Sequence, residues 1–158
     1  MTRTTGLLAA GLLLLFGSAP AAAAAAPECA HRGPHIHAQG VKARVEFIGV
    51  QLNGSEHRGH RFSSARLSDL RILVHWRHLF LNHHRQRLDI HAPDGALYQS
   101  LTRLLTARDV DAPVETVLPV NGTWITRYGL YGTWCVEVFL DDEDQPVTHA
   151  RLVIKPSR

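Results

Sequence analysis

From residue 41 onward the chain is made of short stretches in which apolar and polar residues alternate, the period of a strand with one face in a core. Val41, Ala43, Val45 and Phe47 fall on one side, and Lys42, Arg44 and Glu46 on the other. Around Gly49 the apolar phase moves to Ile48, Val50 and Leu52, which predicts a bulge or a strand changing sheets. Asn53-Gly54-Ser55 marks a turn, and the polar stretch through Ser64 reads as loop.

Arg71 to Phe80 is β-branched and aromatic on both faces, as a central strand would be. Arg85 to Ala92 alternates again, with Leu88 and Ile90 inward and Arg87, Asp89 and His91 outward. Pro93-Asp94-Gly95 then makes a turn, because Pro fixes φ and Gly accepts positive φ. The leucines of residues 96–105 fit a helix or a strand. The preceding hairpin turn favours a strand over Ala96 to Leu101. Val114 to Val120, Gly132 to Asp141 and Val147 to Lys155 complete a set of about seven strands. In the clearest of them Trp134, Val136, Val138 and Leu140 share one face. Short strands, close turns and no long helix predict an all-β, antiparallel sandwich over 41–158.

The segment before it is different in kind. Arg3 lies in a short positive region, and Leu7 to Phe16 is an apolar run of signal-peptide length, too short to span a bilayer. Small residues from Ser18 to Ala26 offer cleavage sites, with Ala24 preferred because Pro27 disfavours a cut at Ala26. Residues 1–25 are therefore expected to be an export signal, and 26–40 an extended Pro/Gly-rich arm. Cys29 follows Pro27-Glu28 and not a lipoprotein box, so the mature protein is expected in the periplasm or secreted, without a lipid anchor. No later stretch reaches membrane-spanning length. The formal charge of +3 falls by one when Arg3 leaves with the leader. That balance gives no reason to expect nucleic acid as a partner.

Export would place Cys29 and Cys135 in an oxidising compartment, where they would close a loop of roughly 100 residues, worth up to about 4–5 kcal/mol in the chain-entropy model. Cys135 alternates with the Trp134 face, so it points outward, where a bond from the arm could reach it. Two free or intermolecular thiols are the other reading.

The closing hairpin, G-T-W-C-V-E-V-F-L-D followed by A-R-L-V-I, resembles the last two strands of immunoglobulin-like domains in exported bacterial proteins. The antibody-type framework is not reproduced: Cys29 lies on the arm, and Thr133 stands two residues before Cys135 where a tyrosine would be. The resemblance implies an immunoglobulin-like sandwich that binds, spaces or scaffolds.

Candidate chemistry is sparse. No nucleophile elbow, zincin helix or phosphate loop is present, so the chain reads as non-enzymatic and calls for no cofactor. Trp124, Tyr128 and Tyr131 crowd a Gly-rich segment and are the candidate ligand-binding residues, through which a sandwich domain would grip another exported protein or a surface glycan. The alternative function is periplasmic Cu or Zn binding by His31, His35 and His37 of the arm, with Cys29 nearby. These belong to 11 histidines in all, an abundance that would charge the surface between pH 7 and 5. His57 and His60 share a chelating spacing in a loop. His75 and His78, on a strand, would face opposite sides. Asp141, Asp142, Glu143 and Asp144 form an acidic turn without the spacing of an EF-hand.

Overall fold

The longest ladder joins the two longest strands. In the computed structural model, β1 (Lys42–Gln51) pairs antiparallel with a later strand, β4 (Leu67–Arg77), in unbroken register from Lys42↔Arg77 to Val50↔Asp69. The structure describes Cys29 and residues 40–79 and 83–157. Between these two strands lie β2 (Glu56–Arg58) and β3 (Arg61–Ser63). After them come β5 (Arg85–His91), β6 (Leu97–Leu104), the helical turn α1 (Arg108–Asp111), β7 (Val114–Pro119), a second helical turn α2 (Trp124–Arg127), β8 (Gly132–Leu140) and β9 (Thr148–Lys155).

Two sheets result, ordered β2-β1-β4-β7 and β3-β9-β8-β5-β6. The chain crosses between sheets after β2, β3, β4, β6 and β7, while β5–β6 and β8–β9 are hairpins. All pairings are antiparallel except that of β3 with the last strand, which is parallel. This is an immunoglobulin-like sandwich: a first sheet holding β1, β4 and β7 packs on a second centred on β9, β8 and β5. Leu70, Ile72 and Val74 from β4 meet Leu88, Ile90, Trp134, Val136 and Val138 from the second sheet. Trp76 Nε1 donates to Gln86 Oε1 at 2.9 Å, which joins β4 to β5 and satisfies two buried polar groups.

The structure departs from the sequence expectations at four places. β1 does not change sheets at Gly49; of the two expectations the bulge is the one realised, just past the glycine, where the register slips between Val50 and Gln51. The chain changes sheets instead within 56–63, expected as loop, where β2 joins the first sheet and β3 the second. β4 starts at Leu67 and stops at Arg77, because His78 turns to φ 58°. The ambiguous leucine stretch is a strand that ends three residues later than expected, at Leu104. The Pro93-Asp94-Gly95 turn is as read, with Gly95 at φ 86° and Ala92 N donating to Ala96 O at 2.9 Å.

Strand polarity gathers one set of connections at one end of the sandwich: 52–66, the 92–96 turn and 120–131. The candidate aromatic residues lie here. The acidic turn after β8 lies at the opposite end.

Candidate functional site

At this loop end, Asn121 and Gly122 turn the chain away from β7, with Gly122 at φ 72°. Thr123 then caps α2: its Oγ1 accepts from Ile125 N at 3.3 Å and donates to Val120 O at 2.7 Å. Where an irregular loop was expected, the result is a helical turn, closed by Tyr128 N donating to Trp124 O at 2.9 Å. Ile125 is fully buried and anchors this turn to the core. Residues four apart share a helix face, so Trp124 and Tyr128 stand together on the outside. Their rings meet edge to face at 5.8 Å, and the two residues are 64% and 65% exposed.

Tyr131 is not part of that exposed pair. It is half-buried against the core, and its hydroxyl donates to Thr126 O at 3.5 Å. Behind it Trp134 is fully buried, with Nε1 donating to Leu130 O at 3.1 Å and Tyr98 packed edge to face at 5.1 Å. The three candidate aromatics thus separate into two displayed rings and one that packs.

The Cys29–Cys135 disulfide is formed, with a Cα–Cα distance of 5.7 Å. Cys135 faces away from the core, as its alternation with Trp134 requires. It is nevertheless buried, as is Cys29. The bond sits in a polar layer on the outer face of the second sheet. Arg87 stacks on Phe139 at 3.9 Å and lies 3.2 Å from Asp89, to which Ser100 Oγ donates. His91, opposite Cys135 in the ladder, approaches Glu137 at 3.2 Å.

As a disulfide, Cys29 offers no thiolate to a metal. His31, His35 and His37 lie outside the described residues. Among the described residues no group of three or more His, Cys, Asp or Glu side chains is placed to hold a metal ion. His57 and His60 each pack on a phenylalanine, Phe62 and Phe47 respectively. His75 approaches Glu46 at 3.3 Å.

The acidic turn ties the end of β8 to the start of β5. Asp141, at φ 57°, accepts from Arg85 N at 2.9 Å and lies 3.0 Å from His84 Nδ1, while Asp142 pairs with Arg85 at 3.3 Å. Burial disfavours the Asp141 carboxylate. The Arg85 amide, His84 and the Arg85 guanidinium outweigh that penalty and hold its pKa below the ordinary aspartate value.

One cleft at the loop end was not foreseen. Gly49 faces inward from β1, and a Cβ there would fall 2.6 Å from Phe62 and 2.9 Å from Leu67. Only glycine lets the sheet-crossing segment lie this close. Beside this contact a cleft of about 150 Å³ is lined by Phe62 and Leu67 together with Gln51, His57, Arg61, Ser63 and Arg66. Arg61 and Arg66 are exposed, and among the described residues neither has an acidic partner. The neighbouring charges are already matched. Arg71 donates to both Glu115 oxygens, at 2.7 and 2.6 Å, and to Glu56 at 2.6 Å. The hydrogen bonds from Arg71 hold the Glu115 carboxyl below the usual glutamate range. Glu46 takes Arg44 and Arg58. The sequence signal for the cleft is the run of His57, Arg58, His60, Arg61 and Arg66 in the supposed loop, which alternation alone does not expose.

No protein-family model and no curated protein matches the chain. Among solved structures, an immunoglobulin-like protein from Pseudomonas aeruginosa is similar, at 12% identity and a TM-score of 0.46, covering 75% of this chain and all of that one.

Proposed function

We propose that this protein is an exported, non-enzymatic binding module that engages its partner through Trp124 and Tyr128. The observation that carries the reading is the display of the two rings: both are mostly exposed, yet a capped turn with a fully buried Ile125 fixes the backbone beneath them. Large aromatics held in this way lose little conformational entropy on binding and supply much of the energy of an interface. An edge-to-face pair offers one ring face and one ring edge, which suits a sugar ring or an apolar side chain. The partner class is therefore another exported protein or a surface glycan.

Export is supported by the pattern of residues 1–25 and by a disulfide, a bond of oxidising compartments. Among the described residues no helix is long and apolar enough to cross a membrane. The test compares the leaderless chain with a Trp124→Ala/Tyr128→Ala variant on a glycan array and on immobilised envelope proteins. The variant should unfold within about 0.5 kcal/mol of the parent, because it removes only exposed groups. Binding should fall at least about tenfold, as for loss of a hot-spot residue. Equal binding by the two proteins, or no binding by the parent to either class, would sink the proposal.

A further inference from the structure

We infer that the cleft between β1 and the sheet-crossing segment 56–63 is an oxyanion site, taking a carboxylate, sulfate or phosphate group. Three observations converge on it. First, Arg61 and Arg66 line the same small cleft and have no acidic partner among the described residues, whereas Arg58 pairs with Glu46 and Arg71 with Glu56 and Glu115. Two exposed arginines beside one open cleft set up a positive potential there that no ion pair to a carboxylate of the described residues relieves. Second, Ser63, Gln51 and His57 also line the cleft, and their side chains carry hydrogen-bond donors of the kind that complete an oxyanion's shell.

Third, the size selects the ligand. A gap of about 150 Å³ is smaller than the roughly 300–1,000 Å³ of pockets that enclose drug-sized molecules, and it fits one anionic group with its shell. The Phe62 and Leu67 floor excludes water from one side, which strengthens the charge-assisted bonds above it. The site is also built, not incidental. The segment is hydrogen-bonded at both ends of the cleft: Leu52 N donates to Arg66 O at 2.8 Å, and Ser64 N donates to Lys155 O at 3.0 Å. Arg66 also lines a neighbouring open groove with Leu52, Asn53 and Ala65, so a larger molecule carrying the anionic group could continue past it.

The experiment titrates the isotopically labelled leaderless chain with sulfate, phosphate and acetate in separate arms, at constant ionic strength set by chloride, and follows backbone amide shifts. At least one arm should give saturable shifts at Gly49, Ser63 and Arg66. The arm that binds most tightly identifies tetrahedral or planar oxyanions as the preferred chemistry. Arg66→Gln should weaken that binding at least about tenfold, as expected for loss of a charge-assisted bond. Arg61→Gln/Arg66→Gln should abolish saturation, and Arg108→Gln, on an exposed arginine in α1, should leave it unchanged. Both cleft arginines are exposed, so these variants keep the fold, and their unchanged spectra away from the cleft would verify that. Linear, unsaturable shifts in all arms, or equal weakening by Arg108→Gln, would overturn the inference.

Discussion

Replacing both Cys29 and Cys135 with alanine removes the one covalent tie across the domain without burying a new hydroxyl, since these positions are 2% and 1% exposed. The tie spans 106 residues, so its removal frees most of the unfolded chain. In the chain-entropy model a loop of about 100 residues is worth about 4.7 kcal/mol. The lost packing of two buried sulfurs acts in the same direction. Domains of this size are stable by only about 5–15 kcal/mol, so the variant should stand near the edge of folding. Urea denaturation, followed by fluorescence of buried Trp76 and Trp134, measures the loss directly. Because the untied unfolded chain exposes more surface, the m-value should rise as the midpoint falls. Titration of the denatured parent should find no free thiol. A loss below about 1 kcal/mol with an unchanged m-value would refute this account of the bond.

Trp134→Ala should cost about 3–5 kcal/mol in the same assay, because the side chain is fully buried between the sheets, and a cost below about 1 kcal/mol would mean the core face is misassigned. Gly49→Ala places a methyl group 2.6 Å from the Phe62 ring and should destabilise by about 1–3 kcal/mol, readable as a lowered urea midpoint. Asp141→Asn should flatten the acid limb of the stability–pH profile. The depressed pKa of Asp141 favours the folded state fully above the unfolded value of about 3.9, and that contribution is lost as pH falls through the lower folded pKa. Asparagine tolerates the positive φ and still accepts from Arg85 N, so an acid limb identical to the parent's would contradict the assignment.

How much of this was legible in the sequence depended on how local each feature is. The period-2 face of β8 placed Trp134, Val136 and Val138 inward because one side of that strand meets the opposite sheet along its whole length. The same alternation put Cys135 outward, and the bond to Cys29 uses that orientation. It also understated burial on the outer side. Cys135 and Phe139 are covered by partners from elsewhere in the chain, the first by Cys29 and the second by the Arg87 guanidinium. Trp124 and Tyr128 were found by residue type, but the segment was read as loop, so the helical turn that sets them on one face was not foreseen. Tyr131 looked equivalent in the sequence because nothing nearby shows that its ring faces the core.

The misreading at Gly49 shows where local pattern stops carrying information. Along β1 the inward phase runs Val41, Ala43, Val45, Phe47 and then meets a residue with no side chain, so the apolar signal passes to Ile48 and Val50. That looks like a strand turning over. In the structure the strand continues, and the inward space that Gly49 leaves is filled by Phe62, thirteen positions later. Phe62 sits in a segment too short and too polar to show any period: Glu56, His57 and Arg58 are all exposed, and β3 contributes a single inward residue. One non-local contact thus accounts for both the false flip and the unforeseen strands. It also accounts for the cleft, because the packing of Phe62 on Gly49 is what brings Arg61 and Arg66 to the rim of one gap. A glycine on the apolar phase of a strand, followed by a lone aromatic in a basic stretch, is therefore better read as a contact between the two than as two separate interruptions.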